Sequence, residues 1–103
     1  MGNRFDGYIT VTVGGGVIAT SAASAQTAIP NCSSGEKPRY VRVAASAPAC
    51  IRMGKTSVTA SNVDTQIQPG DATIFSVPLG YDVIAAIQVS GPGAVQISPL
   101  ENL

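Results

Sequence analysis

The chain contains no histidine and no tryptophan, and only six basic and six acidic residues in 103. Without histidine it lacks the side chain most used for proton transfer near neutral pH and for activating serine or cysteine nucleophiles. The carboxylates Asp6, Glu36, Asp64, Asp71, Asp82 and Glu101 are scattered, three of them beside Gly, where turn hydrogen bonding is their ordinary work. A glycosidase pair would require the fold to bring two of them together. With only three Tyr and two Phe, there is also little on which to stack a sugar.

The two cysteines, Cys32 and Cys50, form no Cys-x-x-Cys pair. With no histidine beside them they fall short of the four N/S ligands of a structural zinc, so no metal or cofactor is expected. Two free thiols behaving as small buried hydrophobes are the expected state, with a disulfide as the alternative. Cys50 has apolar neighbours and no base to deprotonate it. No catalytic residue is assigned, and the chain is expected not to be an enzyme.

Charge is scarce and balanced. The charged share is 12% and the formal net charge zero, which removes the basic excess behind phosphate-driven binding. Neither nucleic acid nor an anionic membrane is an expected partner. No apolar run approaches the ~18 residues of a spanning helix. The stretch "VIATSAASAQ" imitates a signal-peptidase site at Ala23-Ser24-Ala25, but threonines and Gly14-Gly15-Gly16 break the preceding apolar run, and Asp6 sits beside Arg4. No signal peptide is expected.

Two glycine motifs fail on spacing. A phosphate-binding loop ending in Gly54-Lys55-Thr56 would need glycine at position 49, where Ala49 stands. The glycine run at 14 to 16 lacks both the G-x-G-x-x-G spacing and a following helix.

What is present is alternation. In "GYITVTV" Ile9, Val11 and Val13 oppose Tyr8, Thr10 and Thr12; in "RYVRVA" Val41 and Val43 oppose Tyr40 and Arg42. In "ACIRM" Ala49, Ile51 and Met53 oppose Cys50 and Arg52, and in "ATIFSV" Thr73, Phe75 and Val77 share a face. "VIAAIQV" is nearly all apolar, as a strand buried on both faces would be. "SAASAQTAIPNCSSGEKP" reads as a short strand or extended arm followed by an exposed loop, and "MGKTSVTASNVDTQIQPGD" as a polar loop closing into a strand at "TQIQ". Pro69-Gly70 suits the centre of a type II turn. Short linkers suggest hairpins: an N-terminal one across the glycine run, a second across "ASAP", and a meander from "ATIFSV" through "VIAAIQV" to "AVQIS". These residues predict one all-β domain over 1–103, an antiparallel sandwich or jelly roll of about eight short strands.

The stretches "IPNCSSGEKPRYVRVAASAPACIRMG" and "IQPGDATIFSVPLGYDVIAAIQVSGPGAVQISPL" resemble small virion proteins of tailed bacteriophages, of the head decoration or cement type. The resemblance lies in turn and strand patterns over most of residues 29 to 100 and transfers no functional residue. It implies a compact domain that oligomerises and binds the outside of the capsid across junctions of the major capsid protein. Such a protein would be made in the host cytoplasm and reside on the virion. A low-charge β domain fits that role, because it can bury surface on neighbours and lend strand edges. The expected contacts are arms at 1–7, with Tyr8 beside them, and at 98–103, with Leu100 and Leu103, and a rim of Arg39, Tyr40 and Arg42. A head-tail joining or tail component is the alternative within the same class. A carbohydrate- or receptor-binding module is the alternative from another class.

Overall fold

The computed structural model describes residues 9–10, 13–70 and 73–102. Among the described residues, nine strands run β1 (Ile9–Thr10), β2 (Gly16–Thr20), β3 (Ala25–Ala28), β4 (Tyr40–Ala45), β5 (Ala49–Gly54), β6 (Thr65–Ile67), β7 (Thr73–Ser76), β8 (Val83–Gln88) and β9 (Gly93–Asn102). There is no helix among the described residues. The strands form two antiparallel sheets. The first has the order β7-β4-β9, with β2 and β1 sharing the far edge of the long β9; the second has the order β3-β8-β5-β6.

The pairing has a simple logic. β5 pairs with β6, β4 with β7, β3 with β8 and β2 with β9, as in one long hairpin folded at the 55–64 loop. The doubled chain is then wound so that successive strands alternate between sheets, and β4·β9 and β5·β8 close the two layers. This is jelly-roll winding.

That winding corrects the expected hairpins. β4 and β5 lie in different sheets, and so do β7 and β8, and β8 and β9. "ASAP", "VPLGYD" and "SGPG" are therefore corners between layers. β2 pairs with β9, and the two described residues of β1 pair with β9 as well. Among the described strands, only β5 and β6 are both consecutive in sequence and paired in a sheet. The corners at one end are tied together by backbone bonds: Ser46 N–H to Ala94 O at 2.9 Å, Gln88 N–H to Ser21 O at 3.0 Å and Val89 N–H to Pro48 O at 3.2 Å. Bonds between corners hold each strand to its own layer, where a two-residue hairpin would have forced consecutive strands into one.

The strand faces match the alternation read from the sequence. Val41 and Val43 of β4, Ala49 and Ile51 of β5, Ile84 and Ala86 of β8, and Val95 and Ile97 of β9 form the core with Ile18, Ile29 and Ile67. Phe75, Val77 and Met53 pack against it. Each fully buried aliphatic side chain contributes about 1.5–3 kcal/mol of transfer free energy. At the corner before β7, Gly70 has φ 86°, as a type II turn at Pro69-Gly70 requires.

β8 is buried on both faces. Ile84 and Ala86 face the core; Val83 and Ala85 point outward and are covered all the same, Ala85 completely. The cover is the 55–64 loop. It leaves β5, reaches the edge strand β3, and returns to β6 at the opposite edge, so it must cross the outer face of the sheet. Val58 N–H donates to Gln26 Oε1 at 2.8 Å and Ala60 N–H to Ser24 Oγ at 2.8 Å. Ala60 and the outward-facing Cys50 are both buried, and Cys50 is a free thiol.

Of the expected contact arm at 98–103, residues 98–102 belong to β9, and Leu103 lies outside the described residues. Ser98, Pro99 and Leu100 pair with β4, and 101–102 with β1. Leu100 is only 6% exposed, which removes it from the free surface. The expected arm at 1–7 lies outside the described residues.

Candidate functional site

Three loops meet at the end of the sandwich opposite the tied corners: 29–39 after β3, the first part of the 55–64 strap, and 77–82 between β7 and β8. Their junction is built on backbone bonds. Ile29 N–H donates to Asp82 O at 2.9 Å, Asp82 N–H to Gly54 O at 3.1 Å, and Val77 N–H to Arg39 O at 2.7 Å. Within "VPLGYD", Tyr81 N–H donates to Pro78 O at 3.1 Å, and Gly80 has φ 88° at the third turn position. That geometry drives Leu79, at the second position, into solvent. It is 99% exposed.

Between the 37–40 segment and the 76–82 turn lies a groove of about 740 Å³, open to solvent and lined by Arg39, Tyr40, Val77, Pro78, Leu79 and Tyr81 among others. Lys37 lines it too, its Nζ donating to Ile29 O at 2.8 Å. Lys55, from the strap, stands over the Tyr81 ring 5.6 Å from its centroid, within cation–π range.

Asp82 also lines this groove, and its carboxylate is engaged: Oδ1 accepts from Thr56 N–H at 2.8 Å. Asp64 is a turn residue of the same kind. Its Oδ2 accepts from Ser61 N–H at 2.7 Å, and its Oδ1 lies 3.9 Å from the exposed Arg52 Nε. Asp71 lies outside the described residues. Among the described residues, no three His, Cys, Asp or Glu side chains gather as a group that could hold a metal ion.

Of the residues expected at an interface, Arg39 and Tyr40 come together at the groove, both exposed. Arg42 is exposed on the same outer face of β4 as Tyr40, with Ile74 and Ser98 as its cross-strand neighbours. Leu100 lies opposite Tyr40 in the register but is buried. Tyr8 and Leu103 lie outside the described residues. Sequence reasoning missed Leu79, Tyr81 and Lys55 as neighbours of the groove. One signal was available for Leu79, because an apolar residue at the second position of a Pro-Leu-Gly turn has no core to enter.

No protein-family model, curated protein or solved structure matches the chain.

Proposed function

We propose that this chain is a non-enzymatic structural protein of a tailed-phage virion, one that decorates the capsid exterior by binding across junctions of the major capsid protein. What carries the reading is the surface of the sandwich. A chain with only twelve charged residues leaves Val17, Tyr40, Val63, Ile74, Leu79 and Val89 exposed on a rigid β scaffold. Apolar side chains held on strands and tight turns suit burial against another protein, because little conformational entropy is lost when they dock. The carboxylates Asp64 and Asp82 are spent on turn and loop hydrogen bonds, which supports architecture over catalysis. Jelly rolls serve capsids and lectins alike, so the winding itself does not decide between them.

In this reading the protein acts as a homo-oligomer, without nucleic acid or membrane as partner, and many modest contacts repeated over the lattice give firm retention. The test is co-sedimentation of the purified protein with phage heads lacking it, together with its solution mass by light scattering. Saturable binding at a copy number set by capsid symmetry is the expected result, and the mass reports whether the protein arrives preassembled. Absence of binding at saturating protein would end the reading, and binding to isolated tails in place of heads would move it to the tail.

A further inference from the structure

We propose that the groove between residues 37–40 and 76–82 is a docking site for an extended acidic segment of a partner protein, its carboxylates meeting Arg39 and its aliphatic side chains meeting Leu79, Val77 and Pro78. The inference rests on the reading of this chain as a protein-binding structural component and names the chemistry of the partner at one end of it.

The charge distribution is the first argument. The chain as a whole is neutral, yet Lys37 and Arg39 line the groove and Lys55 stands beside it. The one carboxylate there, Asp82, already accepts a backbone N–H from the strap. Arg39 is exposed and has no ion-pair partner among the described residues. Its planar fork of donors matches a carboxylate in two-point geometry. The two lysines are held, one by the Ile29 carbonyl and the other over Tyr81, so their charge is positioned before a ligand arrives.

The apolar wall is the second argument. Pro38, Val77, Pro78 and Leu79 line the groove, and Leu79 stands wholly in solvent on a turn whose backbone is fixed. An apolar side chain presented to water from a hydrogen-bonded turn is a ready anchor for an aliphatic residue of a partner. A volume of about 740 Å³ accommodates the side chains of a short segment. A saccharide is served less well, since Lys55 already occupies one face of Tyr81 and the Asp82 carboxylate is committed.

The probe is a short fluorescein-labelled peptide of alternating Glu and Leu, set against the same peptide with Gln for Glu, titrated with the full chain and followed by anisotropy. Amide shifts of the isotope-labelled protein locate the contact. The expected result is saturable binding of the Glu peptide only, with shifts confined to 37–40, 55–56 and 76–82. Arg39→Glu should weaken it by about tenfold or more, in line with the loss of a charge-assisted hydrogen bond. Because Arg39 is exposed and has no ion-pair partner among the described residues, the variant should keep the wild-type melting temperature, and that melt serves as the folding control. Equal binding of the Gln peptide, indifference to Arg39→Glu, or shifts elsewhere on the surface would overturn the assignment. The two levels separate cleanly: normal binding of heads by wild type and Arg39→Glu alike, with no binding of the Glu peptide by wild type, sinks the groove and leaves the decoration reading. Peptide binding at the groove without any binding to heads supports the groove and sinks the decoration reading.

Discussion

Asp82 is where an architectural and a catalytic role separate most sharply. Its carboxylate receives the Thr56 N–H, its own N–H reaches Gly54 O and its carbonyl takes Ile29 N–H, so one residue ties all three loops of the groove end. An acceptor is all that the side chain must supply. Asp82→Asn should therefore change unfolding free energy by only a few tenths of a kcal/mol, while Asp82→Ala should lose about 1 kcal/mol, both read by urea denaturation. Equal loss in both variants would mean that the charge, and not the acceptor, matters. Thr56 poses the complementary case, with φ at 56° in a β-branched residue. The left-handed region costs such a residue about 1–2 kcal/mol, part of which glycine gives back as unfolded-state entropy. Thr56→Gly should stabilise the protein by about 0.5–1 kcal/mol. A destabilised variant would show that the Thr56 side chain contributes more than its strained backbone costs. The architectural role of Asp82 could be read from its place in a Gly-Tyr-Asp turn, but its long-range partner could not, because Thr56 lies 26 residues away and no local pattern encodes that bond.

At the level of elements, the period-two alternation gave the faces of β4, β5 and β7 correctly, because burial of one sheet face imposes it regardless of which strands pair. Pairing was another matter. Short linkers such as "ASAP" fit a hairpin and an inter-sheet corner equally well in length, and what decides is whether the core needs the next strand beside its predecessor or across from it. The doubly apolar β8 was legible for the same reason that its cover was not: Val83 and Ala85 announce a second buried face, whereas the strap over them is a polar Ser/Thr-rich stretch held by hydrogen bonds. Removing those bonds should uncover what lies beneath. In a Cys32→Ser background, combining Ser24→Ala with Gln26→Ala deletes the acceptors for Ala60 and Val58 N–H. Two bonds of roughly 1 kcal/mol each should raise the rate at which Cys50 reacts with a thiol reagent by about tenfold or more, with the far-UV circular dichroism unchanged. An unchanged rate would place the barrier to Cys50 in the sheet itself and not in the strap.

For the whole molecule, the question is whether exposed apolar tips are idle or are contacts waiting for a lattice. Among the described residues, Leu79 and Val63 are the two most exposed large hydrophobic side chains, at 99% and 87%, and both sit on loops, so folding gains almost nothing from either. Leu79→Ser and Val63→Ser should each leave stability within about 0.5 kcal/mol of wild type. Under the proposed capsid role, a tip that docks should nevertheless betray itself on heads. There, a loss per site of only about 1 kcal/mol is compounded over every subunit that engages at once, so retention falls much more steeply than the affinity of a single site. Competition co-sedimentation of each variant against wild type should therefore displace Leu79→Ser strongly, because it borders the basic groove, and Val63→Ser weakly. If Val63→Ser is displaced instead, the strap-bearing sheet faces the capsid and the groove end faces outward. Equal competition by both variants would remove the loop tips from the interface and leave the outer face of the first sheet, with Val17, Arg42 and Ile74, as the surface through which the molecule binds.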